Sequence, residues 1–205
     1  MKLIRGEASL VAFVLMFCAA TAHAQMPVSP LIVSETTVIQ FTPAVPTGDV
    51  REGSCSRLSI AAFTRPDAYR CSVDNRIYDP CFTLPPIDDR LVCDANPALK
   101  TGGFLLKLIK PTLPPPSSVA RSRLPWIFRL ADNSICEAMT GTLSPVNGES
   151  ARWSCAIYIR DQVRPAGLVT RVTPGRIWMA DKFPESARGQ NRIEPVKVPV
   201  KIIWE

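Results

Sequence analysis

The cysteines of this chain constrain its fold more than any other feature. One of the seven, Cys18, lies in the N-terminal segment, and four of the others crowd between residues 55 and 93. The six that follow residue 24 are Cys55, Cys71, Cys81, Cys93, Cys136 and Cys155. An even number of cysteines is typical of a disulfide framework in an exported chain. The sequence therefore predicts a stapled fold, provided that the chain is exported.

The N-terminal segment predicts export. Lys2 and Arg5 precede an apolar run from Leu10 to Ala20, and Ala22-His23-Ala24 has small residues at the two positions that a cleavage site needs. We expect residues 1–24 to be a secretory signal peptide that is removed. A membrane anchor is the alternative, but the uncharged run is shorter than the roughly 20 residues of a membrane span.

The cysteine spacing leaves several pairings open, because six cysteines allow many connectivities. No C-x-x-C motif occurs, so we expect neither a metal nor a cofactor at these residues. The pairs favoured by intervening turns and strands are Cys55–Cys71, Cys81–Cys93 and, most strongly, Cys136–Cys155. A Cys71–Cys81 bridge competes with the first two.

The proline content predicts a mainly β fold. All 20 prolines follow residue 24, and such a density forbids long helices. We expect short antiparallel strands with long proline-rich loops, stapled by disulfides, and one or two short helical turns within 65–70. Turns are predicted at Asp74-Asn75, Asp79-Pro80 and Ala131–Ser134, and Pro199 places the last strand at an edge or a bulge. Strands are predicted at 36–41, 58–63, 90–93, 104–110, 126–130, 135–139, 153–160, 176–180 and 196–204.

These patterns divide the chain into three parts. Residues 1–24 are the signal peptide, residues 25–53 an N-terminal strand with a mobile loop, and residues 54–205 a single disulfide-stapled β domain. Within that domain, residues 111–125 contain Pro114-Pro115-Pro116 and are expected to form an extended connector.

Histidine is missing from the predicted mature chain, because the single histidine is His23. Its absence excludes Ser-His-Asp and Cys-His catalysis and histidine-ligated zinc. The formal net charge is +6, but the arginines are spread without a dense cluster. Nucleic-acid binding requires a clustered basic patch, so we expect no nucleic-acid partner. No membrane span is expected once the signal peptide is removed.

Several short motifs surround the cysteines. They are Arg70-Cys71, Ile77–Phe82, Pro125-Trp126, Leu130 with Asp132 and Cys136, and Trp153 with Cys155. This set resembles an uncharacterised type of secreted bacterial cysteine-bearing domain with a Tyr-Asp-Pro-Cys-Phe element. The resemblance covers roughly residues 51–204, and it implies no activity, ligand or active site.

Three carboxylates are the candidates for acid–base chemistry, namely Asp79, Asp132 and Glu137. Hydrolysis of a glycan would need two carboxyl groups about 5 to 10 Å apart in a cleft. Asp79 before a proline and Asp132 in a turn are better explained by hydrogen bonds to the backbone. The catalytic role is therefore the weaker of the two interpretations for both aspartates.

A candidate binding edge consists of Arg70, Arg76 and Tyr78, which flank the turns of the cysteine framework. Loops that disulfides hold rigid are suited to recognition. The four tryptophans could stack on a sugar, but their positions in alternating strands favour core packing for most of them. They are Trp126, Trp153, Trp178 and Trp204.

These features favour an exported binding or interaction module of the cell envelope or extracellular space, with an unknown ligand. No nucleophile elbow or phosphate loop occurs, so the common nucleophile and nucleotide motifs are absent. One alternative is a carboxylate-dependent hydrolase of envelope glycans. Another is a small inhibitor that presents a stapled loop to a secreted hydrolase.

Overall fold

The computed structural model describes residues 35–84, 87–110, 113–115, 124–143, 145–160 and 162–205. The predicted signal peptide lies outside these residues, as does most of the predicted connector. All described residues belong to one compact unit, Leu31–Glu205. No helix among them is long and apolar enough to cross a membrane.

Strands dominate the described part of the chain, so the predicted mainly β, disulfide-stapled fold class is confirmed. The helical content is one short 3₁₀ turn at Glu185–Ala187. The strands are β1 (Thr37–Ile39), β2 (Val50–Leu58), β3 (Ala68–Val73), β4 (Arg76–Leu84), β5 (Ile87–Cys93), β6 (Phe104–Leu108), β7 (Ile127–Leu130), β8 (Ile135–Ala138), β9 (Pro145–Val146), β10 (Glu149–Ser150), β11 (Trp153–Ile159), β12 (Gln162–Thr173), β13 (Met179–Phe183) and β14 (Val196–Trp204).

Strands β2 to β6 close into a five-stranded barrel. Successive strands are antiparallel, and the barrel closes where β2 pairs with β6 in parallel. Phe104, Leu106 and Leu108 lie together in the barrel core, because alternate residues of a strand point to the same face. The alternation in the sequence predicts that these three residues share one face of a strand, and that prediction is confirmed.

Two disulfides lie in the barrel core and join residues that face each other on adjacent strands. Cys55 pairs with Cys71 across β2 and β3, and Cys81 pairs with Cys93 across β4 and β5. A Cys71–Cys81 bridge is not formed. All four cysteines are buried, so the two bridges form part of the barrel core.

The remaining long strands form a seven-stranded sheet in the order β1-β14-β13-β12-β11-β8-β7. Because β14 also pairs with β7, six of these strands form a closed ring, and β1 is added parallel to β14. Phe128, Trp153 and Val200 lie in its core. The third disulfide, Cys136–Cys155, joins facing residues of β8 and β11 in the same core.

The barrel and the seven-stranded sheet share an apolar cluster. Ala68 and Phe82 of the barrel pack in it with Ile127 and Trp204 of the sheet. Burial of apolar surface contributes about 25 cal/mol per Å², so this cluster holds the two sheets together. The candidate site lies along their boundary.

Pairing between strands overrides three local predictions. Residues 58–63 do not form a strand, since β2 ends at Leu58 and begins at Val50, inside the predicted loop. The helical turn predicted within 65–70 is also wrong, because β3 begins at Ala68. Asp79-Pro80 is not a turn but a cis peptide within β4. The turn at Asp74-Asn75 is confirmed by φ angles of 49° and 61°, which favour such residues.

Strand β12 has no counterpart among the predicted strands. Pro165 and Gly167 interrupt its pattern, yet both lie within the strand. Gly167 has a φ of 115°, and a Cβ there would lie 2.1 Å from the carbonyl oxygen of Phe183. Glycine is therefore required where β12 passes β13.

Strand β14 is not an edge strand, although Pro199 predicted an edge or a bulge. It pairs with β7 on one side and with β13 and then β1 on the other, since residues 202–204 pair with both β7 and β1. Its register against β7 shifts between Val200 and Ile202, which is the bulge alternative. The shift brings Ile203 into the core, and Val196 is exposed. A single apolar face therefore does not run the length of this strand.

Candidate functional site

A polar cleft of about 190 Å³ lies at the boundary between the barrel and the seven-stranded sheet. We call it the boundary cleft. The barrel lines it with the first half of β4 and the residues after β5, and the sheet lines it with the end of β8 and the residue before β7. Its lining residues are Ala61, Ile77, Tyr78, Asp79, Pro80, Asp94, Ala95, Asn96, Trp126, Glu137, Ala138 and Thr140.

Asp79 forms the barrel side of the cleft, and its carboxylate is saturated with donors. The Ser59 hydroxyl donates to Oδ1 at 2.5 Å, and the backbone amides of Ala61 and Ile60 donate to Oδ1 and Oδ2 at 3.4 and 3.2 Å. Arg70 donates to Oδ2 at 3.1 Å. A carboxylate offers about four lone-pair sites. Asp79 therefore has no acceptor site left for a substrate.

Arg70 neutralises the charge of Asp79 and connects the barrel to the seven-stranded sheet. The side chains of the pair are 13% and 1% exposed, and the same Arg70 nitrogen donates to the Thr140 carbonyl at 3.1 Å. A buried pair of this kind needs its hydrogen bonds satisfied. Arg70 is thus occupied by structural contacts at the base of the cleft.

Glu137 enters the cleft from β8 of the sheet. The Asn96 side-chain amide donates to its Oε1 at 2.6 Å. Asn96 itself is held in place, because its side-chain oxygen accepts the amides of Ala98 and Leu99, each at 3.0 Å. Asn96 is therefore a positioning residue that fixes the Glu137 carboxyl across the boundary.

Burial, the strongest influence, raises the pKa of the Glu137 carboxyl above its ordinary value. Hydrogen bonds from Asn96 and Tyr158 oppose the shift, and the nearby negative charge of Asp94 adds to it. The pKa of the Tyr158 hydroxyl is also raised. Burial is the main cause, and the nearby Glu137 carboxyl is the second. Carboxyl groups with a perturbed pKa in a cleft are candidates for function.

Two aromatic rings complete the lining. Tyr78 packs edge-on against Phe104, with ring centroids 4.9 Å apart, and Arg51 donates to its hydroxyl at 3.4 Å. Trp126 is 6% exposed, and its Nε1–H is buried without an acceptor among the described residues. Buried indole N–H groups usually have a partner. This donor is therefore a polar feature that the surrounding residues leave unsatisfied.

The structure brings some of the predicted site residues together and separates others. Asp79, Glu137 and Tyr78 line the same cleft, whereas Arg70 lies beneath it. Arg76 lies at the exposed start of β4 and does not line the cleft. Of the three residues of the predicted binding edge, only Tyr78 therefore lines this cleft.

Asp132 has the turn role that the sequence favoured. Its Oδ1 accepts the Ser134 amide at 3.0 Å and the Ser134 hydroxyl at 2.6 Å. Lys182 donates to its other oxygen at 2.6 Å. Burial favours a higher pKa for this carboxyl, but the bonds from Lys182 and Ser134 outweigh it and lower the pKa. Asp132 does not line the boundary cleft.

Core packing accounts for most of the tryptophans. Trp126, Trp153 and Trp204 are buried, and Trp178 is partly buried against the sheet core. The four do not form an exposed sugar-stacking platform within the described residues. Trp153 also donates through Nε1 to the Pro125 carbonyl at 2.8 Å.

Three site residues were not predicted from the sequence, namely Asp94, Asn96 and Tyr158. Asp94 and Asn96 lie within three residues after Cys93. Two turn-type side chains just after a disulfide-bonded strand are the signal that could have identified them. Tyr158 lies in β11 with Cys155 and hydrogen-bonds to Glu137. Nothing local to Tyr158 indicates that contact.

Three sulfur atoms lie close together in the barrel. The Sγ atoms of Cys71, Cys81 and Cys93 are within 4.8 Å of one another. Each is bonded within a disulfide, whereas a metal is bound by the free thiolate. In this oxidised form the cluster is part of the core.

Comparisons with protein-family models, curated proteins and solved structures give no match to this chain. The resemblance to a secreted cysteine-bearing domain therefore stays a prediction.

Proposed function

We propose that this protein is a binding module of the cell envelope or extracellular space, and that the boundary cleft holds one small polar group of its ligand. The observation that carries the proposal is the Glu137 carboxyl, which Asn96 holds at 2.6 Å inside a cleft between two disulfide-stapled sheets. A rigid, partly desolvated acceptor is the usual means by which a site orients a polar ligand group.

The size of the cleft supports binding of one group. Its volume of about 190 Å³ is below the roughly 300–1,000 Å³ of sites that enclose a whole small molecule. A side chain or a single ring of a larger ligand suits this space. The rest of that ligand would then lie on the surrounding surface.

The disulfides support an oxidising compartment. Three bridges occur in the described residues, and such bridges persist in secreted and periplasmic proteins. Together with the predicted signal peptide, they favour action outside the cytoplasm. The inhibitor alternative is a special case of binding, in which the ligand is a secreted hydrolase.

Blocking the cleft tests the proposal. Ile77 lines the cleft and is 59% exposed, so Ile77→Arg would fill it at little cost to the fold. Ile109 is 66% exposed and does not line the cleft, so Ile109→Arg is the matched control. Immobilised protein spanning residues 25–205 would be used to capture ligands from envelope extract and culture medium.

We expect wild-type protein and Ile109→Arg to retain the same ligand and Ile77→Arg to lose it. Retention of that ligand by all three proteins would contradict the proposal. So would the absence of any specifically retained component.

A second candidate is the carboxylate-dependent glycan hydrolase. Its support is the pair of Glu137, whose pKa is raised, and Asp94, which lies near it and lines the same cleft. A carboxyl of raised pKa beside a second carboxyl is the arrangement that glycoside hydrolysis uses. Release of reducing sugars from envelope glycan, abolished by Glu137→Gln and by Asp94→Asn but not by Asp132→Asn, would favour this candidate over binding alone.

A further inference from the structure

The boundary cleft is acidic in a protein whose formal net charge is +6. Three carboxylates line it, and no arginine or lysine belongs to its described lining. Arg70 offsets the charge of Asp79. Glu137 and Asp94 have no lysine or arginine within salt-bridge distance among the described residues, and they lie close enough for the charge of one to act on the other.

The aromatic lining favours the same kind of ligand. Tyr78 and Trp126 both line the cleft, and the face of an aromatic ring attracts a cation, most strongly where water is excluded. Carboxylates and rings around a small space are the elements of an ammonium-binding site. An anionic ligand would meet repulsion from Glu137 and Asp94.

The Trp126 side chain provides a second, independent observation. It is more than nine-tenths buried, and its Nε1–H has no acceptor among the described residues. The Nε1–H is shielded from the cleft in this structure, so a ligand that carries a carbonyl beside its amine would offer this donor an acceptor only after a shift of the Trp126 side chain. A chain N-terminus has that chemistry.

We propose that the ligand group held in the boundary cleft is a protonated primary amine, bound between Glu137, Asp94 and the rings of Tyr78 and Trp126. The inference rests on the proposed binding function. It assigns Glu137 and Asp94 as the charged acceptors and Asn96 as the residue that positions Glu137. Asp79 takes no part in ligand binding, because its acceptor sites are filled.

Three small probes test the charge and the source of the amine. n-Butylamine represents a lysine side chain, glycinamide represents a chain N-terminus, and n-butanol is the neutral control. Each would be titrated into ¹⁵N-labelled protein while the Trp126 indole N–H and the Asn96 side-chain amide are followed by NMR. We expect at least one amine to shift both signals, and n-butanol to shift neither.

The variants test the assigned residues. We expect Glu137→Gln and Asp94→Asn each to weaken amine binding by roughly tenfold, since a charged acceptor is lost. Both replacements preserve side-chain shape, and Asn tolerates the left-handed backbone that Asp94 adopts at φ 61°. Asp132→Asn lies outside the cleft and should bind the amine as the wild type does.

Tighter binding of glycinamide would assign the site to a chain N-terminus, and tighter binding of n-butylamine to a lysine-like side chain. Failure of both amines, or equal binding of n-butanol, would overturn the inference. If the amines fail while capture of a ligand still depends on Ile77, the binding function stands and only the amine assignment falls.

Discussion

Arg70 and Asp79 form an ion pair of 3.1 Å in which the two side chains are only 13% and 1% exposed. Asp79 lines the boundary cleft, and Arg70 also reaches the Thr140 carbonyl on the other side of the boundary. This relationship joins the barrel to the seven-stranded sheet. It also explains why the aspartate of the Tyr-Asp-Pro-Cys-Phe element is structural.

Removing one charge of this pair should destabilise the fold. We expect Asp79→Asn to lower the free energy of unfolding by about 3 kcal/mol, because the Arg70 charge is left buried without its partner. Chemical denaturation measures the change. The control is Glu149→Gln, whose partner Arg171 is 61% exposed, and its effect should stay within about 0.5 kcal/mol. Equal effects of the two variants would contradict the role assigned to Asp79.

The contributions of Glu137 and Asp132 to the free energy of unfolding should change in opposite directions as pH rises. The pKa of Glu137 is raised above 4.5, so the folded state binds its proton more tightly, and its contribution to stability falls as pH rises through the folded pKa. The pKa of Asp132 is lowered below 3.8, so its contribution is present above that value and is lost as pH falls through the folded pKa.

Unfolding free energies of the wild type, Glu137→Gln and Asp132→Asn, measured against pH, separate the two effects. Relative to the wild type, we expect Glu137→Gln to gain stability as pH rises above about 4.5. Asp132→Asn should lose stability relative to the wild type as pH rises from its acidic limit. Parallel curves for all three proteins would show that neither carboxyl has the environment described.

Gly167 is predicted to resist substitution. Its φ is 115°, and a Cβ added there would approach the Phe183 carbonyl oxygen to 2.1 Å, which leaves no room for a side chain. Gly167→Ala should lower the free energy of unfolding by more than about 1 kcal/mol. Gly141→Ala is the control, since a Cβ there meets nothing within 4 Å, and it should change stability by less than about 0.5 kcal/mol. Similar stabilities of the two variants would be inconsistent with the tight passage of β12 past β13.

The disulfide of the larger sheet should contribute measurably to stability. Cys136 and Cys155 are 19 residues apart in sequence, and closing a loop of that length contributes about 3 kcal/mol, mainly through the unfolded chain. The double variant Cys136→Ala/Cys155→Ala should show that loss in thermal or chemical unfolding. Alkylation of the unreduced wild-type protein should label none of the six cysteines after residue 24, and labelling at Cys136 or Cys155 would count against the bridge.

Local sequence signals predicted the local parts of this fold. Asp74-Asn75 and Asn133 adopt left-handed backbone angles in hairpin turns, which their short polar side chains tolerate. The alternation of Phe104, Leu106 and Leu108 identified an inward face. These features depend on a few neighbouring residues, so the sequence carries them directly.

Long-range pairing accounts for the parts that were missed. The parallel contact of β2 with β6 and the closure of β14 on β7 join residues far apart in sequence, and no local pattern encodes them. Pro165 stands within β12 where that strand pairs with β11 alone, so a residue that usually ends a strand is tolerated. The cleft is likewise non-local, because Asn96 and Glu137 meet only after the two sheets pack.

The most direct test of the account is to map the captured ligand onto the protein by backbone amide NMR. Binding in the boundary cleft predicts chemical-shift changes concentrated at Ile77–Asp79, Asp94–Asn96 and Glu137–Thr140, and their disappearance in Ile77→Arg but not in Ile109→Arg. Changes confined to residues outside the cleft, or a map that Ile77→Arg leaves unaltered, would contradict the claim that this cleft is the ligand site.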